Sequence, residues 1–398
     1  MRLRRSEARP SPSPLRRLLR SPGRQTNQAL LVVLLFAFGT GIAAVAIGSP
    51  GGRWAAIGHG ICGLAVVLLI PWKSKVVRGG LRRARLSRWL SLLLAALALF
   101  TLAAGLGYAT GLVRSIAGKP GLWVHIAVAL TLVPLVVWHV WARGIRARGI
   151  RPRRTDLSRR ALLRAGAVAA GAVTVYTAAE SAITGLGLPG ARRRFTGSYE
   201  VASFQPEAMP ASSWLLDAVP IVAPDQWRLS IKDGQGRREL TLAQLTAYDT
   251  KVRATLDCTS GWCSHQDWTG VPLATLLPRT GNAQSVYVHS VTGYWVRFPI
   301  HDMDRLLLAT RVGGAPLSAD HGFPVRLVAP GRRGYWWVKW VDRIELQTTP
   351  SWCGGSRRSP SADAIGPAGV RTNVAQLGSW AWRCPARFQV TARFRHQA

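Results

Sequence analysis

Four long apolar runs restrict what this chain can fold into more than any other feature of its sequence. Each run approaches or exceeds the roughly 20 residues that a helix needs to cross a bilayer. They are predicted at residues 28–48, 54–72, 88–112 and 121–142. The sequence therefore predicts an N-terminal, all-α transmembrane bundle of four spans within residues 28–145.

The net charge of +34 is distributed around these runs. Segments 1–24, 73–88 and 143–164 together hold 24 basic and 2 acidic residues, whereas residues 165–352 hold 18 basic and 15 acidic ones. A nucleic-acid-binding protein clusters positive charge on a folded face, so this distribution argues against nucleic acid and for a lipid bilayer as partner. By the positive-inside rule, the N-terminus and the 73–88 loop are predicted to be cytoplasmic.

A fifth apolar run at about 161–179 directly follows Arg159 and Arg160. Paired arginines before an Ala- and Gly-rich run are typical of a twin-arginine export signal. A plain fifth membrane span is the alternative. Both interpretations predict a multi-pass protein of the cytoplasmic (inner) membrane. In both, the residues after 180 lie on the extracytoplasmic side.

Five regions are expected from these patterns: a basic cytoplasmic N-terminus, the membrane domain, a basic linker with the fifth helix, an outer domain and a tail. Their predicted boundaries are 1–27, 28–145, 146–190, 195–350 and 351–398. The tail is rich in Arg, Ser, Ala, Gly and Pro without a helical or strand period, which predicts disorder. A second hypothesis is that the tail is out-of-frame translation; an intact single reading frame on resequencing would contradict it.

Three histidines lie inside the predicted spans, where ionisable groups are costly and usually functional. His125 and His139 are 14 residues apart, about 3.9 turns of one helix, so they share a face about 21 Å apart. This spacing resembles that of di-haem b-type cytochromes, in which each histidine holds one haem. Since His59 and His125 lie at similar depth near the outer surface, we expect them to hold one b haem. His139 is a third candidate ligand without a partner histidine at its depth.

Hydrogen bonding between helices is the alternative role for these histidines. Three glycines near His59 would let a flat macrocycle approach the helix backbone: Gly58, Gly60 and Gly63.

Short runs of Val, Ile, Thr and aromatic residues alternate with Gly, Pro and Asp between about 195 and 350. This pattern predicts an α+β domain rich in strands. Strands are expected at 286–298 and 335–346, and helices at 241–247 and 301–309. Three tryptophans of this region are predicted to be packing residues: Trp336, Trp337 and Trp340.

Two segments of this domain carry the candidate chemistry. Residues 254–273 read ATLDCTSGWCSHQDWTGVPL, and residues 321–341 read HGFPVRLVAPGRRGYWWVKWV. Together they resemble the molybdopterin-binding domain of the sulfite oxidase family, which includes bacterial methionine-sulfoxide reductases built on the same domain. The resemblance covers roughly 200–350 and implies a molybdenum-dependent oxidoreductase with a molybdenum-molybdopterin cofactor.

The resemblance assigns roles to individual residues. Cys258 matches the cysteine whose thiolate ligates molybdenum, a suitable soft ligand for such a metal. His321 and Arg326 match the HGFPxR positions that hold the pterin and its phosphate, for which the planar fork of Arg is suited. Lys339 matches the lysine of the VKW element near the pterin. Two glycines would allow close approach of backbone to the cofactor: Gly331 and Gly334. The segment 268–273 matches the family's structural turn after the ligand loop.

Other interpretations of these residues stay open. Cys258 and Cys263 could form a disulfide, or could join His265 and Asp267 in a zinc site, although that spacing is crowded. Two further classes of protein also fit the chain: a b-type cytochrome whose outer domain only binds a partner, and a membrane anchor carrying an adhesion-like β domain.

The sequence departs from the family pattern in three places. Residues 259–262 read TSGW, without the arginine that helps sulfite oxidases bind an oxyanion, so a sulfoxide-type small or peptidyl substrate is favoured over sulfite. Gly313 stands where the family often has Asn, which would weaken one cofactor contact. About 50 residues follow the VKW element, too few for the family's dimerisation domain. We expect oxygen-atom transfer, with electrons exchanged between the quinone pool and the pterin through the haem.

Overall fold

The computed structural model describes residues 23–81, 87–147, 159–212, 218–278, 281–353 and 357–358. They form two compact units. Unit 1 contains the chain up to Glu200 together with Asp257–Cys263, and unit 2 contains Val201–Leu256 and the chain from Ser264 onward. Most of the basic N-terminus, parts of the 73–88 and 143–164 segments and nearly all of the tail lie outside the described residues, so the predictions made on them stay predictions.

Unit 1 is built on five long helices, one for each apolar run of the sequence. They are α1 Gly23–Ala46, α2 Gly52–Leu81, α3 Ser87–Thr110, α4 Gly121–Ala147 and α5 Arg159–Gly185. Within the described part of the chain, these five are long and apolar enough to cross a membrane. Large apolar side chains such as Leu35, Phe36 and Trp141 are exposed on them, as expected where lipid replaces water around a helix. Helix α1 packs on α2, α3 on α4, and α5 on α2.

The segment after α5 is tied to the end of α3. It forms a 3₁₀ turn at Pro189–Arg192 and then the short strand β3, Tyr199–Glu200. Strands β1 (Ser115–Ile116) and β2 (Lys119–Pro120) form a hairpin earlier in the chain, between α3 and α4. Arg193 donates to the carbonyl of Ala109 over 2.8 Å and pairs with Glu180. Because the last carbonyls of a helix lack intrahelical partners, this arginine caps α3.

Unit 2 contains a sheet in the order β14-β9-β8-β13-β4-β5. Its strands are β4 Arg228–Asp233, β5 Gly236–Thr241, β8 Ser285–Ser290, β9 Tyr294–Pro299, β13 Val341–Gln347 and β14 Arg357–Arg358. Only β13 and β4 run parallel; the other pairs are antiparallel. Alternate side chains of the sheet are fully buried, as the two-residue period of a strand requires: Leu229, Ile231, Val286, Val288, Val296 and Phe298.

A second sheet carries the two motif segments. Strands β7 (Trp262–Pro272) and β12 (Arg326–Val328) both pair with β10 (Leu307–Val312). Strand β6, Thr250–Asp257, pairs with β7, and β11, Ala315–Pro316, pairs with β10. Two short helices complete the described elements, α6 Leu242–Thr246 and α7 Leu273–Leu276. The predicted fold class is confirmed: N-terminal apolar helices and a C-terminal, strand-rich α+β domain.

The helix predicted at 241–247 is confirmed as α6. Thr241 and Gln244 form a capping box, in which the Gln244 amide donates to Thr241 Oγ1 over 3.2 Å and the Thr241 amide donates to Gln244 Oε1 over 2.8 Å. Such a box satisfies two backbone donors that the first turn of a helix leaves open.

The helix predicted at 301–309 is wrong. The chain forms a 3₁₀ turn at Ile300–Arg305 and then enters β10. Leu307, Leu308 and Ala309 are all buried, and they pair with β12 on one side and β7 on the other. A continuous apolar run covered on both faces is a central strand, which a short sequence window cannot distinguish from a buried helix.

The predicted strands also need correction. Residues 286–298 are two strands, β8 and β9, joined by a turn in which Gly293 has a φ of +78°. Residues 335–346 begin as a 3₁₀ turn, and β13 starts only at Val341 because Trp340 has a φ of +53°, outside the β region. The segment 268–273, predicted as a turn, continues β7 to Pro272 before α7 begins.

Candidate cofactor sites

The HGFP and VKW motifs lie side by side in unit 2. The Leu327 amide donates to the Val338 carbonyl over 2.8 Å, and the Val341 amide donates to the Val325 carbonyl over 2.9 Å. Gly322, with a φ of +109°, makes this approach possible, since a Cβ there would lie 3.1 Å from the Cα of Lys339. The HGFP and VKW motifs are thus parts of one site.

His321 is buried in this site, with one ring nitrogen available for a ligand. Ser318 donates its hydroxyl hydrogen to Asp320 Oδ1 over 2.6 Å, so the Ser318 oxygen accepts from Nδ1 of His321 over 2.7 Å. The other nitrogen, Nε2, is buried and makes no hydrogen bond of standard geometry, although the Pro210 carbonyl lies within reach of the ring. Burial, followed by the positive charge of Arg326, lowers the pKa of His321, and the charge of Lys339 acts in the same direction. The neutral ring therefore presents Nε2 as an acceptor.

Arg326 is buried against two neighbouring indole rings. Its guanidinium carbon lies 5.5 Å from the ring centroid of Trp268 and 5.8 Å from that of Trp337. Its Nη1 donates to the carbonyl of His321 over 3.1 Å. A desolvated cation over two aromatic faces is stabilised by about 2 kcal/mol or more. The indoles therefore hold a fixed positive charge beside His321.

Lys339 is held by main-chain oxygens. Its Nζ donates to the carbonyl of Ser212 over 3.0 Å and to that of Asp320, and it lies 5.3 Å from the ring centroid of Trp340. The indole nitrogen of Trp340 donates to Ala319 over 2.7 Å. The bond to the Asp320 carbonyl places Lys339 next to His321. Its role at a pterin stays a prediction.

The predicted packing role of the tryptophans is confirmed for Trp337 and Trp340, which are both buried. The structure adds a role for Trp337 and Trp268 that the sequence did not indicate, since both enclose Arg326. Trp336 is half-buried and packs on Phe298 with ring centroids 5.1 Å apart.

The predicted glycines differ from one another. Gly331 has a φ of +76°, and a Cβ there would meet nothing within 4 Å, so the turn requires this glycine and leaves open space around it. Gly334 begins the 3₁₀ turn Gly334–Trp336. Their approach to a cofactor stays a prediction. Gly313 and Gly314 both have positive φ in the two-residue turn between β10 and β11. Asn and Gly are the residues that such a turn favours.

Cys258 lies in the loop between β6 and β7, which belongs to unit 1. The loop is closed by hydrogen bonds from the Cys258 amide to the Trp262 carbonyl (2.9 Å) and from the Gly261 amide to the Cys258 carbonyl (3.2 Å). The Ser260 hydroxyl lies 3.0 Å from Cys258 Sγ. This half-buried thiol with a neighbouring donor suits a thiolate ligand.

The residue before Cys258 anchors the loop, and the sequence analysis missed it. The buried carboxylate of Asp257 accepts from Thr196 (2.8 Å), Ser198 (2.6 Å) and Arg194 (3.0 Å). Such a buried acid is stabilised only by partners of this kind. The acidic Asp257 at the end of strand β6 could have indicated a buried carboxylate. Its partners could not be predicted, because they lie about 60 residues away in the sequence.

The alternative roles of Cys258 find no support in the structure. No disulfide joins Cys258 to Cys263. His265 Nδ1 lies 2.7 Å from the Thr255 hydroxyl, and Asp267 forms a two-point ion pair with Arg253 at 2.8 and 3.1 Å. Among the described residues, no group of three or more His, Cys, Asp or Glu side chains is placed to hold a metal ion.

Unit 1 brings together the two histidines that were predicted as one pair. The ring centroids of His59 on α2 and His125 on α4 are 5.9 Å apart, with an interplanar angle of 86°. Nδ1 of His59 donates to the carbonyl of Ala37 over 2.9 Å, and Nδ1 of His125 donates to that of Thr101 over 2.9 Å. Each ring is therefore oriented by a backbone acceptor, as in metal-binding histidines, and keeps Nε2 for a ligand.

Glycines on the neighbouring helices make room for both rings. A Cβ at Gly41 would lie 3.0 Å from the His59 ring, and one at Gly105 would lie 3.0 Å from the His125 ring. The three glycines near His59 that the sequence predicted to face a macrocycle lie instead against side chains of neighbouring helices: Gly58 faces Thr40, Gly60 faces Tyr176 and Gly63 faces Leu102.

His139 does not join the pair. Its Nδ1 lies 3.4 Å from the Ser91 hydroxyl on α3, and its ring packs against that of Trp138. The rings of His59 and His125 are therefore neighbours and His139 lies apart from them, while haem binding stays a prediction.

Comparison with known proteins identifies the motif-bearing region. Residues 216–353 match the family model of the oxidoreductase molybdopterin binding domain. The chain is 29% identical over 187 residues to mitochondrial sulfite oxidase of Homo sapiens, covering 36% of this chain and 34% of that protein. It is 32% identical over 137 residues to nitrate reductase [NADPH] of Phytophthora infestans, covering 31% and 15%.

Among solved structures, the crystal structure of the sulfane dehydrogenase SoxCD from Paracoccus pantotrophus is similar with a TM-score of 0.30 and 27% identity, covering 33% of this chain and 41% of that chain. The chain spans about a third of the length of the sulfite oxidases it matches. The region that contains Cys258, His321, Arg326 and Lys339 is therefore an oxidoreductase molybdopterin-binding domain, similar to those of sulfite oxidase and nitrate reductase.

Proposed function

We propose that the protein is a membrane-anchored, molybdopterin-dependent oxidoreductase that transfers an oxygen atom from a small or peptidyl sulfoxide, using electrons from the quinone pool through one membrane b haem. The observation that carries the proposal is the buried Nε2 of His321, which lies beside Arg326 and Lys339 and makes no hydrogen bond of standard geometry. A buried polar atom without a partner is costly, so a ligand with hydrogen-bond donors is expected there.

The residues of unit 2 fit the organic part of the cofactor. His321 Nε2 would accept from an N–H of the pterin, and the positive charges of Arg326 and Lys339 suit its phosphate. The indoles of Trp268 and Trp337 keep the guanidinium in place before the ligand binds. This pre-organisation lowers the entropy that binding costs.

Cys258 fits the role of the metal ligand. Donation from the Ser260 hydroxyl to Sγ stabilises the thiolate form that metals bind, and the partners of Asp257 fix the start of the loop. Molybdenum-molybdopterin, when bound, would supply two-electron redox chemistry. Reduction of a sulfoxide then consumes two electrons and two protons and yields a thioether and water, a balance that one quinol satisfies.

The loop after Cys258 supports a neutral substrate. Its residues Thr259, Ser260, Gly261 and Trp262 carry no charge. A sulfite dianion would need cationic partners to offset its desolvation, whereas a sulfoxide oxygen needs only hydrogen-bond donors. The composition of the loop therefore favours a sulfoxide over sulfite.

The membrane unit fits a haem held between two helices. His59 and His125 face one another across 5.9 Å between ring centroids, and both use Nδ1 for a carbonyl of a neighbouring helix. A haem in this position would pass single electrons. The proposed location is the cytoplasmic membrane, with the molybdopterin domain on its outer side.

The test is the metal and pterin content of the detergent-solubilised protein from a host that makes the cofactor. Molybdenum by elemental analysis and pterin fluorescence after denaturation should both approach one per chain in the wild type. Cys258→Ser should lose molybdenum or reduction of dimethyl sulfoxide, whereas Cys263→Ser, which changes a buried thiol at the start of β7, should keep both. Wild-type protein without molybdenum and pterin would contradict the proposal.

A further inference from the structure

Tyr108 connects the membrane helices of unit 1 to the loop that carries Cys258. This tyrosine lies near the end of α3 and is 6% exposed. Its hydroxyl donates to the carbonyl of Gly261 over 3.0 Å. Gly261 in turn donates its amide to the Cys258 carbonyl. The sequence analysis assigned no role to Tyr108.

The contact depends on glycine at position 261. Gly261 has a φ of +94°, and a Cβ there would lie 2.2 Å from the Tyr108 hydroxyl and 3.4 Å from the Cβ of Leu122 on α4. Any side chain would push the loop away from both helices. The Gly261 carbonyl also accepts from the Tyr199 amide over 3.0 Å, so this one oxygen joins the loop to α3 through Tyr108 and to β3 through Tyr199.

A second tyrosine supports the first. The Tyr199 hydroxyl donates to the backbone carbonyl of Tyr108, and the two rings meet edge to face with centroids 5.3 Å apart. The guanidinium of Arg114 lies 4.7 Å from the Tyr199 ring. Burial raises the pKa of Tyr199, so its phenol stays protonated and keeps donating.

Helices α3 and α4 also meet about one turn away from Tyr108, at His125 on α4. Gly105 lies three residues before Tyr108 on α3, and a Cβ there would lie 3.0 Å from the His125 ring. Leu122, which faces Gly261, lies three residues before His125 on α4. One turn of helix is about 5.4 Å, so the histidine pair and the Cys258 loop are separated by only a short stretch of packed protein.

We propose that Tyr108 is a positioning residue for electron transfer: it holds the Cys258 loop against α3 and α4, so that electrons pass from the haem at His125 to the metal at Cys258 through its hydrogen bond to Gly261. The inference rests on the proposed function, because it requires both cofactors. With both groups bound, each transfer would take one electron from the haem and give one to the molybdenum centre, and two transfers would supply one substrate turnover. Tyr108 would only hold the loop, and its phenol would be unchanged.

The experiment compares the full-length wild type with Tyr108→Phe, which keeps the ring and removes the hydroxyl. Both proteins are reduced anaerobically with a quinol and mixed with dimethyl sulfoxide, and haem reoxidation is followed by its absorbance. Tyr108→Phe should slow reoxidation about tenfold, since a small displacement of reacting groups lowers rates by this order or more. Tyr248→Phe, a tyrosine on the surface of unit 2, is the matched control and should reoxidise at the wild-type rate.

Hydrogen exchange provides a readout that does not depend on turnover. In Tyr108→Phe the amides of 258–263 should exchange faster than in the wild type, with unchanged haem spectrum and molybdenum content. Gly261→Ala should show a larger increase in the same segment. If Tyr108→Phe contains both cofactors and shows the wild-type rates of haem reoxidation and of hydrogen exchange, the inference on Tyr108 is overturned but the proposed function is not. Wild-type protein lacking haem or molybdenum would overturn the proposed function and the electron route with it.

Discussion

His321 shows at the scale of a residue how burial selects one chemical form of a side chain. A histidine in water titrates around 6.5, but burial and the nearby positive charges lower the pKa of His321. With Nδ1 committed to Ser318, the neutral ring offers only an acceptor. The tertiary structure thus turns the histidine of the HGFP motif into a buried acceptor, which we propose accepts from a pterin N–H.

The depressed pKa of His321 has a consequence for stability. Between its lowered folded pKa and 6.5, the unfolded chain binds a proton that the folded chain does not. Stability should therefore fall as the pH drops below about 6.5, by at most about 1.4 kcal/mol per pH unit. The hydrogen bond from Ser318 lowers the pKa of the neighbouring Asp320 below 3.8. The titration of this carboxyl therefore changes stability only at more acidic pH.

Thermal unfolding of wild type and His321→Gln at pH 7.5 and 5.5 checks this expectation. The wild type should lose more in Tm between the two pH values than the variant, which cannot titrate at this position. His301→Gln, which replaces an exposed histidine, is the control and should follow the wild type. An equal loss in wild type and His321→Gln would contradict the assignment.

At the scale of elements, the site depends on which helices and strands become neighbours. Helices α2 and α4 each present one histidine, and Gly41 on α1 and Gly105 on α3 give the rings room. In unit 2, β10 accepts both β7 and β12 as partners, which brings Trp268 and Arg326 together. Neither arrangement follows from the period of a single segment.

The helix pair leads to a prediction for haem binding. His59→Ala and His125→Ala should each abolish or strongly reduce the absorbance of a low-spin b haem in the purified protein, because each removes one axial ligand. His139→Ala should keep it, since His139 lies against Ser91 and Trp138 and not in the pair. Loss of haem only in His139→Ala would contradict the pairing; molybdenum content measured alongside should be the same in all three variants.

The elements also show where local patterns mislead. The apolar stretch from Leu306 to Ala309 has the composition of a helix as well as of a strand, and only its two strand partners decide between them. The aromatic run from Tyr335 to Trp340 has strand-forming residues, but Trp340 adopts a φ of +53°. A bulky residue in this region costs about 1–3 kcal/mol, which the contacts of its indole with Ala319 help to offset.

At the scale of the whole molecule, the five apolar helices and the basic segments predict one orientation. If the 73–88 loop is cytoplasmic, the molybdopterin domain is outside. Ile221→Cys, at a fully exposed position of unit 2, should then react with a membrane-impermeant maleimide on intact cells whose outer envelope is permeabilised. Ser74→Cys, in the basic C-terminal part of α2, should react only after lysis.

Wild-type protein supplies the background from the native cysteines in this experiment. Labelling of Ser74→Cys on intact cells, with protection of Ile221→Cys, would reverse the proposed topology. Such a result would leave the contacts among His321, Arg326 and Lys339 unaffected, because these lie within unit 2.

The helices of unit 1 and the strand-rich class of unit 2 followed from the sequence, which also predicted the main site residues. Hydropathy and short motifs are local properties, so they survive without knowledge of the fold. The tertiary structure alone decided the partners: Asp257 with Thr196 and Ser198, Arg326 with Trp268 and Trp337, and Tyr108 with Gly261. These contacts join residues far apart in the chain, and their energies depend on burial and distance, which no local pattern contains.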